Sequence, residues 1–131
     1  MELTDTTHLA LVRPAGRAET PPGPEALVAA MARQGVHELA ERSFGDAPAS
    51  TGLALAALAS ARAGAVLWIA ERGAEREHGR LSARGVQAMG LDPGRFLRVR
   101  ARRTLETLKA VEEGLRSGAV AAVVAEIAGA D

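Results

Sequence analysis

His37–Ile69, HELAERSFGDAPASTGLALAALASARAGAVLWI, passes from a short mixed run to small residues, then into a long apolar stretch and a second apolar run. Residues 37–43 are expected to form a short strand and Gly45–Gly52 a turn of small residues. Thr51–Ala63 is then an apolar helix ended by Gly64, and Ala65–Ile69 a buried strand. Strand, glycine-containing loop, helix and strand make a βαβ unit, whose first loop normally holds a phosphate.

Upstream, residues 1–24 carry Pro14, Pro21, Pro22 and Pro24 among Thr, Arg and Gly, with one apolar island at Leu9–Val12. This composition predicts a disordered arm. From Glu25, EALVAAMARQ places Leu27, Val28 and Met31 on one helical face for packing against a sheet, and Gly35 closes it. Downstream, AERGAEREHGR is expected to be a charged loop with about one helical turn. Leu81–Met89 reads as a short helix before Gly90, and Asp92-Pro93-Gly94 as a turn. FLRVRA at 96–101 alternates, with Leu97, Val99 and Ala101 on one face and Arg98 and Arg100 on the other, as in an edge or half-exposed strand. TLETLKAVEEGLRSG then sets Leu105, Leu108, Val111 and Leu115 on one stripe, with Thr104 as N-cap and Gly118 at the C-terminus. The final run, AVAAVVAEI, fits a parallel strand covered on both faces.

Strands alternating with helices specify a mostly parallel α/β sheet with right-handed crossovers. Strands are expected at about 37–43, 65–70, 96–101 and 119–127. Residues 25–131 form one domain, and 47% hydrophobic residues suffice for a core in a chain of 131. The last strand is left short of neighbours or cover, so a partner, or a longer parent chain, would supply them.

Composition removes several functions. The 16 basic and 16 acidic residues cancel, leaving no overall field toward nucleic acid or membrane. Lys109 is the only lysine, and the arginine excess reads as codon bias. Without Cys there is neither disulfide nor thiol chemistry, and His8, His37 and His78 are too far apart to share ligand spacing. No apolar run nears ~20 residues and no secretory leader pattern opens the chain, which predicts a cytoplasmic protein away from membranes. Two Phe and one Trp make a poor stacking platform for single strands.

The order from His37 to Ile127 resembles the front half of a RecA-like ATPase core. GDAPASTG stands for its phosphate loop, VLWIAE for the strand before the catalytic acid, and MGLDPGRFL for the next segment. LETLKAVEEGLRSGAV corresponds to the helix leading into the magnesium-site strand, AAVVAEI. Within that superfamily the chain is similar to the ImuA family of SulA-like and RecA-like inducible-mutagenesis proteins. The likeness is carried by His37-Glu38, Val66-Leu67-Trp68-Ile69, Gly90-Leu91-Asp92-Pro93, Arg98–Arg102, and above all Ala110–Gly118 followed by AVAAVVAEI. It implies a RecA-like three-layer sandwich with an abbreviated sheet of about four strands. It also implies an accessory role in translesion synthesis, beside a Y-family-like mutagenesis protein and an error-prone polymerase, with RecA as a further partner. Members of that family are longer, so the resemblance implies that later strands are lacking here.

A working Walker A loop, G-x-x-x-x-G-K-[ST], needs Lys to neutralise the phosphates and a hydroxyl to hold magnesium. Counting from Gly45, the positions for Gly, Lys and Ser/Thr hold Ser50, Thr51 and Gly52, and Pro48 lacks an N–H. Phosphoryl transfer rests on positioning and charge neutralisation, so no ATPase and no cofactor are expected, although free N–H groups at the helix start would still permit weak phosphate or DNA-backbone contact. Glu71 stands where the resemblance puts a water-activating acid, and otherwise reads as a solvated strand-end carboxylate. Glu126 stands near the magnesium-site acid, and otherwise as an exit into solvent. Arg95, Arg98, Arg100, Arg102 and Arg103 are the densest charge, suited to phosphates or an acidic partner, or to an edge protected from aggregation. His78 reads as exposed. The expectation is a non-catalytic accessory protein acting through protein contacts, with a DNA-dependent ATPase and a SulA-like division inhibitor as alternatives.

Overall fold

The computed structural model describes residues 8–9 and 23–128. In chain order the elements are strand β1 (His8–Leu9), helix α1 (Pro24–Met31), strand β2 (Leu39–Ala40), helix α2 (Ala47–Ser60), strand β3 (Val66–Glu71), helices α3 (Arg72–His78) and α4 (Ala83–Ala88), strand β4 (Phe96–Ala101), helix α5 (Thr104–Ser117) and strand β5 (Ala122–Glu126). Single 3-10 turns occupy Phe44–Asp46 and Pro93–Arg95.

VLWIAE presents apolar side chains to both sides, and every residue of β3 is buried. It lies between β4 and β5, both parallel to it, with Trp68 level with Arg98 and Val124. Val66, Trp68 and Ala70 pack with Ala54, Leu55 and Leu58 of α2, Val86 of α4 and Leu91. Leu67 and Ile69 pack on the other side with Ala101 and with Ala110 and Val111 of α5. Helices therefore cover both faces of a small all-parallel sheet, the three-layer arrangement of α/β proteins.

The sheet has three strands where four were expected. Only Leu39 and Ala40 of the expected strand 37–43 are extended in a ladder, and they pair antiparallel with His8–Leu9, outside the parallel sheet. Two residues assigned to a disordered arm thus form β1; the rest of residues 1–22, and with them the remainder of that expectation, lie outside the described residues. α1 packs against α2 rather than on the sheet. Residues 72–78 form a helix in place of a loop, because Ala74 drops into the core beside β3.

α2 starts at Ala47 and not at Thr51. Pro48 enters the first turn, where its missing N–H costs nothing, so most of the expected phosphate loop is already helix. α5 spans the expected residues, and Gly118 ends it in the left-handed conformation at φ 63°. Its buried face is not the leucine stripe. Thr107 and Gly114 face the sheet, with Ala110 and Val111 beside them, while Leu105, Leu108 and Leu115 are 64%, 50% and 61% exposed. Gly114 explains the choice. A Cβ there would stand 2.5 Å from Leu67 Cδ2 and 3.2 Å from Val123 Cγ2, so the helix reaches the sheet only through its small residues. The expected N-cap, Thr104, is the first helical residue, and Arg103 occupies the cap position without a capping side chain.

Candidate functional site

Parallel strands deliver their last residues to one end of the sheet, and Glu71 and Glu126 arrive there from β3 and β5. Glu71 is buried, not solvated: its carboxylate accepts Thr104 Oγ1 at 3.2 and 3.3 Å and the Ala128 amide at 3.3 Å. These bonds tie the end of β3 to the start of α5 and to the residue beyond β5. Gly73 lets the chain after β5 come this close, since a Cβ there would meet Ala128 Cβ at 2.8 Å.

Glu126 is half-buried, and its Oε1 accepts the Trp68 indole N–H at 2.9 Å. Trp68 is almost wholly buried and lies 6.1 Å from the Phe96 ring, tilted by 47°. Burial pushes the Glu126 carboxyl above the usual range. The indole bond favours the charged form and opposes that rise; the Glu75 charge adds to it, and His78 and Arg98 work against it.

Beside this pair a small open cleft of about 30 Å³ lies between β2, the first half of α2 and β5. Its walls include Leu39, Glu41, Ser50, Thr51, Ala54, Trp68 and Val124–Ile127. Ser50 and Thr51, expected in a phosphate loop, are thus on the helical wall, and Gly52 lies one residue further along the same helix. Gly45 sits in the preceding 3-10 turn, with nothing near its open side. Among the described residues the cleft walls carry no cation, and Asp46 holds the N-cap position of α2 without capping it, its side chain instead accepting the Ser43 amide at 3.2 Å. A carboxylate at that position already meets the positive end of the helix and repels a phosphate.

The arginine cluster divides into three. Arg95 is a latch: its Nε donates to the Gly64 carbonyl at 2.7 Å and its NH2 to that of Arg62 at 3.4 Å. Arg98 and Arg100 share one face of β4 and converge on Glu75 of α3. Arg98 NH2 donates to Oε1 at 3.2 Å; Arg100 Nε is 2.9 Å from Oε2 as an ion pair, without an aligned N–H, and Arg80 Nε is 3.7 Å from Oε2. The Glu75 side chain is 5% exposed, whereas those of Arg98 and Arg100 are 40% and 53% exposed. Arg102 and Arg103 follow the strand and are exposed; the Arg102 amide is taken by Glu106 at 2.8 Å. His78 is half-buried rather than exposed, 3.6 Å from Glu77.

Sequence reasoning therefore named Glu71, Glu126 and the arginines but not the groups they meet, Glu75, Trp68 and Thr104, nor Arg80. One signal was available for Glu75. Arg98 and Arg100 lie on the same strand face as the partly buried Phe96, and two cations side by side on that face call for an acid nearby. Among the described residues no group of three or more potential ligands is placed to hold a metal ion, and no helix is long and apolar enough to cross a membrane. Compared with protein-family models, with curated proteins and with solved structures, the chain matches none.

Proposed function

We propose that this chain is a non-catalytic, RecA-like accessory protein of SOS-induced translesion DNA synthesis, acting in the cytoplasm through protein contacts in a mutagenic polymerase complex. The resemblance of residues 110–127 to the ImuA family motivates the pathway. One structural observation supports the non-catalytic half: among the described residues the cleft beside residues 45–52 is lined by Glu41 and Glu126 and by no cation. Phosphoryl transfer needs positive charge at the phosphates, and a site of opposite sign withholds it. The parallel three-layer sheet with its cleft beside the strand ends is the layout that such a reading requires.

The partner contacts fall to the exposed arginines beyond β4, Arg102 and Arg103, because Arg98 and Arg100 are committed to Glu75. The test is co-purification of the tagged chain from its own DNA-damaged cells, with mass-spectrometric identification, beside an Arg102→Ala/Arg103→Ala variant. Recovery of a Y-family-like mutagenesis protein with the error-prone polymerase, reduced in the variant, is the expected result. Recovery of a tubulin-like division protein instead, or saturable magnesium–ATP binding by equilibrium dialysis, overturns it.

A further inference from the structure

The zero net charge of the chain conceals a segregation. Residues 71–103 hold nine arginines against four acids, whereas the rest of the sequence holds seven basic and twelve acidic residues. The positive stretch is the crossover from β3 to β4 together with β4, an edge strand of the sheet. Eight of its nine arginines are exposed; the other is the latch Arg95.

At the centre of this surface Arg80, Arg98 and Arg100 stand 3.7, 3.2 and 2.9 Å from one carboxylate, that of Glu75. Three cations on one acid leave a local surplus of positive charge. The tie engages NH2 of Arg98 and Nε of Arg100, and no other described residue bonds either guanidinium. Their side chains, with that of Arg80, are 40–62% exposed, so the remaining N–H groups stay within reach of an anion. Glu75, being buried, acts as a peg that holds the guanidiniums side by side, and donors already held in place lose less freedom on meeting a ligand. Arg102 and Arg103 continue the row beyond the strand. A planar guanidinium matches paired phosphate oxygens, and a row of fixed cations matches a polymer with an anion at every repeat. The neighbouring rings are withdrawn, Trp68 buried and Phe96 half-buried, so they offer no platform for unpaired bases.

We propose that the β4 edge, through Arg80, Arg98, Arg100, Arg102 and Arg103, binds the phosphate backbone of a nucleic-acid duplex without reading its sequence. This goes beyond the protein contacts proposed above and does not rest on the pathway assigned to them.

The purified chain is titrated into fluorescein-labelled DNA and RNA duplexes of the same sequence, about 20 base pairs long, and anisotropy is followed. Saturable binding of either duplex is expected, and the tighter of the two names the source of the backbone. Affinity should fall at least about tenfold between about 50 mM and about 200 mM salt, as released counterions require. Arg80→Gln should weaken binding about twofold to fivefold and lower the salt slope by about one. Arg98→Gln/Arg100→Gln should weaken it further. Arg80 has the longest approach to Glu75, so its variant reports binding even if the double variant loosens the edge. Lys109→Gln, on α5 against the other face of the sheet, should leave affinity unchanged. No saturation at about 50 mM salt, unchanged affinity in Arg80→Gln, or an equal loss in Lys109→Gln each overturns the proposal. Displacement of the duplex by poly-glutamate as readily as by unlabelled duplex of equal charge also overturns it, and assigns the edge to an acidic protein. These outcomes are independent of which protein co-purifies with the chain.

Discussion

The two edges of the sheet treat a carboxylate in opposite ways. On the β4 side Glu75 is withdrawn from water and met by three guanidinium groups, from Arg80, Arg98 and Arg100, which remain largely in solvent. On the β5 side, where AVVA supplies no charge, Glu126 has one neutral donor, the Trp68 indole. The first arrangement offsets the cost of burying charge with charge and seals that edge. The second leaves the cost partly uncompensated, and burial accordingly pushes the Glu126 carboxyl up. The cationic edge is structural reinforcement; the acid on the opposite edge keeps one carboxylate oxygen, Oε2, without a described partner.

The strongest way to break this contrast is to remove the cations. Arg98→Ala/Arg100→Ala leaves the Glu75 carboxylate buried against Arg80 alone, 3.7 Å away. Breaking a buried pair costs about 3–5 kcal/mol, reduced here to about 2–3 kcal/mol because both arginines are half in water. A shift of the urea midpoint without change of slope measures it. Adding Glu75→Ala to the double variant should recover part of the loss, since the stranded charge goes too. If the double variant is as stable as the parent, Glu75 is not held by these arginines.

On the opposite edge, Trp68→Phe deletes the indole N–H and part of a buried ring, at a cost of about 2 kcal/mol for the smaller side chain and the unpaired acceptor. Circular dichroism during denaturation reads the loss. Glu126→Gln should act in the other direction. With its pKa raised in the folded chain, Glu126 binds its proton more tightly folded than unfolded, so its contribution is most favourable below 4.5 and declines as pH rises through the raised folded value. Glutamine keeps the acceptor and removes the titration. The variant should therefore gain on the parent as pH increases from about 4 to about 7, by less than the tryptophan change costs. A constant difference across that range would show that Glu126 carries no raised pKa.

The parts of this fold legible in the sequence were those in which one residue pattern admits one environment. VLWIAE reads as a buried strand and is one, and FLRVRA as a strand with one charged face, because an apolar run or an alternation suits both side chains and backbone that way. AVAAVVAEI reads as a strand covered on both faces, yet β5 is an edge strand of five residues, all half-buried. Local pattern failed where distant packing decides. Residues 37–43 have strand chemistry, yet their partner is His8–Leu9, a pairing no local window contains. GDAPASTG has the small residues of a loop, and the same residues serve as the first turns of α2 once Pro48 takes an early helical position. For the site, strand ends gave Glu71 and Glu126 their place, but the groups that bury them come from 33 and 58 residues away. Glu75 was hidden because EREH reads as a solvated run unless the arginines of β4 are known to lie over it.

The sharpest case is α5, where of the periodic stripe Leu105, Leu108, Val111 and Leu115 only Val111 meets the core. Leu105, Leu108 and Leu115 form an apolar ridge, and each buried leucine truncated would normally cost about 2–5 kcal/mol. In this structure the ridge faces solvent, and the sheet is met by Thr107, Ala110, Val111 and Gly114. Leu105→Ser/Leu108→Ser should then change the unfolding free energy of the chain by no more than about 0.5 kcal/mol per site, the ordinary range for surface substitutions. The paired control is Gly114→Val, whose side chain would enter the space of Leu67 and Val123 and should be visibly destabilising. A large loss from the leucine pair with a tolerated Gly114→Val would mean that α5 is rotated, with its leucines on the sheet. The reverse pattern fixes the helix by its smallest residues, and it places the apolar ridge on the outside of a molecule whose β4 edge is already sealed by charge.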